Sequence, residues 1–127
     1  MNPGAERLLD KAGRALAAAE RLVDAGDTEF AVGRAYYAMF YVATAVLDER
    51  GLQFRKHSGV SSAFGQHLVK TGEWDQKYHR WLPEAFSLRI VGDYEVLAEF
   101  SENDVRTVIE RAREFLEEAR WRLTADE

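Results

Sequence analysis

The chain has 127 residues, enough for one domain, 1–127, with its own hydrophobic core. It carries no cysteine, which excludes disulfides, zinc thiolates and cysteine nucleophiles. The formal net charge of -5 disfavours broad attraction to nucleic acid or anionic lipid but leaves room for a local basic site. His57, His67 and His79 lack the i, i+4 spacing that puts two imidazoles on one helix face, so no metal site and no cofactor are expected.

Asn2-Pro3 is a capping side chain followed by a residue suited to a first helical turn. From there Leu8, Leu9, Ala12, Ala15, Leu16, Ala19, Leu22 and Val23 make one apolar helix face, with Glu6, Arg7, Lys11, Arg14, Glu20 and Arg21 on the other. Gly26 ends this helix and Asp27 or Thr28 caps the next. So short a connection predicts an antiparallel helical hairpin. The charges near the amino terminus do not read as a signal peptide.

The stretch Asp27 to Arg50 is apolar on nearly every side. Ala31, Ala35, Ala38, Val42 and Ala45 form a small-residue stripe suited to close helix packing, and aromatic and aliphatic residues cover most of the rest, which predicts the buried central helix of a bundle. Arg34 and Thr44 interrupt its apolar run, which is therefore read as falling short of the roughly 20 residues of a membrane span. The expected location is the cytoplasm, without a membrane.

After Gly51 a loop delivers Arg55, Lys56 and His57, with Ser58 as the expected cap of a shorter third helix that carries Val60, Phe64, Leu68 and Val69 and stops at Thr71-Gly72. A helix amino terminus flanked by cations suits an anion, and a solvated turn is the plain alternative. Trp74, Tyr78, Trp81 and Phe86 are expected in the core or at a subunit interface, with a base-stacking platform as the other reading. Pro83 is expected to kink or restart the helix, and Gly92 to weaken it. Ser101 with Asp104 opens the last helix, whose apolar face runs from Val105 to Leu123. With no strand-like alternation, the series predicts an all-α, single-domain bundle of about five helices with an antiparallel up-and-down core.

Several polar residues invite a functional reading. Arg34, among apolar neighbours, needs a structural partner, with Asp93 and Glu84 as candidates, or else holds a phosphate. Arg89 and Asp93 are i and i+4, so they pair with each other or, with Tyr94 beside them, grip an RNA phosphate. His67 and His79 are read as ordinary surface or half-buried residues.

The blocks Gly33-Arg34-Ala35-Tyr36-Tyr37-Ala38-Met39-Phe40, Lys56-His57-Ser58-Gly59-Val60 and Arg89-Ile90-Val91-Gly92-Asp93-Tyr94 resemble, in order and spacing, the signatures of HEPN domains (higher eukaryotes and prokaryotes nucleotide-binding). The resemblance spans nearly the whole chain. It implies a helical bundle that forms a homodimer, often a metal-independent ribonuclease toxin whose usual partner is a small nucleotidyltransferase encoded alongside. In those nucleases an Arg followed after four to six residues by a His is the catalytic motif. Arg89 matches the Arg, but Tyr94, Glu95 and Val96 occupy the positions where the His would stand. Tyrosine, with an ordinary pKa of about 10, is a poor general base. Arg50 to His57 has the formal spacing but spans a predicted loop and is read as accidental.

Two functions follow from the resemblance. One is the HEPN half of a toxin-antitoxin-like pair, binding RNA or a nucleotide at a dimer cleft and cutting RNA through Arg89, Asp93 and Tyr94, with Arg34, Arg55, Lys56 and His57 as binding residues. The other is a noncatalytic helical dimer that binds a partner or nucleotide. Tyr94 beside Arg89 is also a candidate acceptor if the partner transfers a nucleotide to a protein hydroxyl.

Overall fold

In a computed structural model the described residues are 1–125, so the last two residues of the 1–127 domain lie outside them. Among the described residues there are five α-helices and no strand: α1 Pro3–Asp24, α2 Thr28–Glu49, α3 His57–Phe64, α4 Gln76–Tyr94 and α5 Glu102–Thr124. The all-α bundle is the architecture expected from periodicity.

The helix starts follow the capping chemistry in some places and depart from it in others. The Asn2 side chain accepts from the Ala5 amide at 2.7 Å, and Ser101 accepts from the Asp104 amide at 3.1 Å, so α1 and α5 open as expected. Asp27 takes the N-cap position of α2 without a side-chain cap bond. At α3 the expectation fails: Lys56 is the N-cap, no side chain caps the turn, and Ser58 lies inside the helix. The expected third helix is also not uniform, because Gly65–Val69 winds as a π-helical turn before Gly72 reverses the chain at φ +81°.

α2 packs against α1, α3, α4 and α5. By length and composition it could cross a membrane, contrary to the shorter apolar run expected, but two thirds of its most apolar window is buried inside the bundle. It is therefore a core helix, apolar all round because helices surround it. The backbone N–H of Asn2 donates to Glu49 at 2.9 Å, which joins the start of α1 to the end of α2 and makes the hairpin antiparallel.

Trp74, Tyr78 and Trp81 are core residues, as one of the two expectations had it. Trp74 and Tyr78 pack with Phe64 and Phe115 at ring separations of 5.1 to 5.6 Å. Phe64 and Phe115 are fully buried, and removing either ring would cost about 3–5 kcal/mol.

α4 runs unbroken through Pro83, so the expected restart does not occur. Its Gly92, two residues before the helix ends, is also a packing residue: a Cβ there would stand 2.6 Å from the Glu29 carbonyl oxygen of α2. Glycine lets the end of α4 lie against the start of α2, and this contact sets where Arg89, one turn earlier, meets α2.

Candidate functional site

Where α2, α3 and α4 converge, a pocket of about 670 Å³ opens to solvent. Phe40, Val60, Leu82, Pro83 and Phe86 supply an apolar wall, and Arg55, Lys56, His57 and Ser58 supply a polar rim. The rim exists because the loop after α2 ends at the first turn of α3. Without a side-chain cap, the amides of His57, Ser58 and Gly59 have no hydrogen-bond partner among the described residues, and they share the helix terminus with the two cations of the loop.

His57 is the centre of this arrangement. Its Nδ1 lies 2.6 Å from the hydroxyl of Tyr36, a buried residue of α2. Its ring lies 4.5 Å from Phe40 and 5.5 Å from Phe86, centroid to centroid. Partial burial, and then the positive charge of Arg89, lower its pKa below the ordinary 6.5, so the imidazole is neutral at neutral pH. Burial raises the Tyr36 pKa well above the usual phenol value, which keeps its proton on oxygen. With the phenol donating, Nδ1 accepts and the ring proton resides on Nε2, a hydrogen-bond donor. The opposite tautomer would leave Nε2 with the lone pair a general base needs.

Arg89, on α4, stands beside this pocket rather than in its lining. Its guanidinium lies 5.0 Å from the Tyr37 ring and 6.0 Å from Phe86, and Nε donates to Asp93 at 3.1 Å. The i, i+4 pair expected from spacing therefore forms, but the expected trio does not. Tyr94 is 73% exposed at the last residue of α4 and does not line the pocket. One residue is a rotation of about 100° on a helix, which carries Tyr94 off the face that Arg89 and Asp93 share.

Arg34 is the other departure. It is exposed, not held among apolar side chains, and it meets neither Asp93 nor Glu84. Its guanidinium sits 5.2 Å from the Tyr37 ring, on a separate groove. His67 and His79 are half-buried, as expected. The relation that sequence spacing missed is Arg89 with His57: far apart in the chain, they stand against the same Tyr37 and Phe86 rings, and the charge of Arg89 is felt at the imidazole, because α3 and α4 both pack on α2.

A second concavity of comparable size, about 630 Å³, lies along α5, but its character is different. Its Arg106, Arg111 and Arg113 are already paired with Asp24, Glu102, Glu84, Glu20 and Glu110. That surface is a solvated ion-pair network, which leaves the His57 pocket as the candidate site.

A helical bundle with a cation-rimmed aromatic pocket between its central helices is the class these features define. The HEPN domain family matches residues 5–121, and the chain belongs to that family. It is 39% identical over 118 residues to a UPF0332 protein of Gloeobacter violaceus, covering 92% of this chain and 94% of the relative. A UPF0332 protein of Thermotoga maritima is 44% identical over 87 residues, 68% of this chain and 66% of its own length. A protein of Methanocaldococcus jannaschii named "Putative toxin MJ0142" is 33% identical over 111 residues, 87% of this chain and 76% of its own.

Proposed function

We propose that this protein is a toxin-like HEPN protein that binds RNA or a nucleotide in the His57 pocket. The observation that carries the reading is the meeting, in one cavity, of two kinds of recognition. Phe40 and Phe86 offer faces to a base, while Arg55, Lys56, the first-turn amides of α3 and the His57 ring offer positive charge and donors to a phosphate. The toxin names of similar proteins support the same reading.

In this proposal the protein is a homodimer with the pocket at or near the shared cleft. The loop after α4 leaves Val96 and Leu97 almost fully exposed, apolar surface of the kind a second copy covers. A small nucleotidyltransferase is the proposed partner, and exposed Tyr94 is its candidate acceptor for nucleotide transfer. Mass spectrometry of the co-expressed pair tests that step, and an unmodified Tyr94 under active transfer removes it.

Metal-independent RNA cleavage is the catalytic form of the proposal. It needs Arg89 to hold phosphate and His57 to take a proton in its second tautomer. The noncatalytic form is favoured by one feature: buried Tyr36 as donor leaves His57 with a donor rather than a base at Nε2. Purified protein incubated with transfer RNA and total RNA in EDTA separates the two forms. Cleavage that is lost in Arg89→Ala and His57→Ala, both folded, establishes a nuclease. Nucleotide binding without cleavage establishes a binding module, and neither binding nor cleavage overturns the proposal.

A further inference from the structure

Eight of the 17 Lys and Arg side chains stand in ion pairs among the described residues. Six of the other nine gather in two neighbouring places, and Arg7, Lys70 and Arg120 lie in neither. Arg55 and Lys56 line the pocket, and Lys11, Arg14, Arg21 and Arg34 line one groove of about 350 Å³ between α1 and α2. None of these four meets a carboxylate among the described residues, although acidic residues outnumber basic ones in the chain by 22 to 17. Lys11, Arg14 and Arg21 fall at i, i+3 and i+10 of α1, a row about 15 Å long on one side of the helix. Like charges so placed repel one another, and a polyanion would relieve that repulsion.

The groove is joined to the pocket by aromatic rings. Lys11 Nζ lies 4.7 Å from the centroid of Tyr41, whose ring is 5.9 Å from Tyr37. Tyr37 is flanked by the guanidinium groups of Arg34 at 5.2 Å and Arg89 at 5.0 Å, and its ring is 5.8 Å from His57. Tyr37, Tyr41 and Phe40 are all partly exposed, so cations and stackable rings alternate from the groove to the pocket. The groove wall on α1 between the cations is alanine, which leaves space beside the charges.

We propose that the α1–α2 groove holds the sugar–phosphate backbone of single-stranded RNA, so that the chain entering the His57 pocket is a polymer rather than a free mononucleotide. This rests on the reading of the pocket as an RNA or nucleotide site. An acidic protein surface would satisfy the charges but has no use for the row of tyrosines, whereas unpaired bases stack on such rings while the phosphates follow the cations.

The test measures binding of two probes: a fluorescent single-stranded RNA of about 12 nucleotides, and adenosine monophosphate. The natural protein is compared with a groove variant, Lys11→Gln with Arg14→Gln and Arg34→Gln, and with the pocket variant His57→Ala; circular dichroism verifies folding. All three groove positions are exposed, and a second groove variant, Arg14→Gln with Arg21→Gln, repeats the test independently of α2. The expected result is that the groove variants lose at least tenfold in RNA affinity and keep mononucleotide affinity within twofold. The salt dependence of RNA binding should fall by about 2 in slope for three lost cations.

Unchanged RNA affinity in both groove variants overturns the groove. Equal competition by polyglutamate or by duplex RNA of the same length overturns single-stranded RNA as its occupant. If RNA binding depends on the groove but adenosine monophosphate binds neither the natural protein nor His57→Ala, the pocket reading fails while the groove stands.

Discussion

The outer face of α5 and the α1–α2 side of the bundle are both rich in arginine, yet their arginines are in opposite states. On α5 nearly every guanidinium has a carboxylate: Arg111 with Glu84, Arg113 with Glu20, Arg122 with Glu118. Around the pocket and the groove, Arg14, Arg34, Arg55 and Lys56 have none among the described residues. The first arrangement spends its charge inside the protein, and exposed pairs of that kind contribute only about 0–1 kcal/mol each. The second keeps its charge available to a ligand. The number of cations on a helix face therefore says less than where their counter-charges went.

The largest effect expected from breaking this arrangement comes from backbone rather than charge. Gly92→Ala places a methyl 2.6 Å from the Glu29 carbonyl, so α4 must move away from α2 and carry Arg89 with it. A stability loss of about 1–3 kcal/mol in chemical denaturation, with at least a tenfold loss of nucleotide affinity, is expected. Gly33→Ala is the control on the facing helix. Its methyl would meet Arg89 Cγ at 3.6 Å, ordinary contact, and helix propensity favours alanine by about 0.5–1 kcal/mol. A loss of stability there comparable to Gly92→Ala would refute the close-approach argument.

Next in size is the Tyr36–His57 contact. Tyr36→Phe removes a hydrogen bond worth about 0.5–1.5 kcal/mol and frees the His57 tautomer, while the ring packing survives. Nucleotide affinity that falls at least threefold with little change in thermal midpoint would place the contact in ligand binding. Full retention of affinity would make it structural.

The proton of His57 offers a finer probe. Burial and Arg89 lower its pKa in the folded chain, so just below pH 6.5 the unfolded chain binds a proton that the folded chain does not. Stability from this group is present above 6.5 and is lost as the pH falls through the lowered folded value. Nuclear magnetic resonance titration should find His57 below 6.5, and Arg89→Ala should move it back upward. No upward movement would show that Arg89 does not act on the ring.

The smallest effect tests the contrast between the faces directly. Arg111→Ala breaks one partly exposed pair and should change stability by less than about 1 kcal/mol and nucleotide affinity not at all. Lys56→Ala should leave stability within about 0.5 kcal/mol and still weaken nucleotide binding in a salt-dependent way. Equal effects of the two substitutions on binding would erase the distinction.

By itself the sequence determined whatever depends on neighbours along the chain. Apolar periodicity, the Asn2 and Ser101 caps, the reversal at Gly26 and the Arg89–Asp93 pair are all settled within a few residues of helix geometry, and they appear as read. Lys11, Arg14 and Arg21 were legible only as members of the mixed charged face of an amphipathic helix, and the groove that groups them with Arg34 is tertiary. Local chemistry misled where packing outweighed it: α4 does not restart at Pro83, Ser58 sits past the cap, and Arg34 lies on an exposed part of α2. Only the tertiary structure decided which histidine feels the charge of Arg89. The family motif looks for it a few residues further along the same helix, but here His57 arrives from α3 because Gly92 brings α4 against α2 and Tyr36 holds the imidazole there. A contact between residues on different helices is set by the crossing of those helices, and no spacing within one of them encodes it.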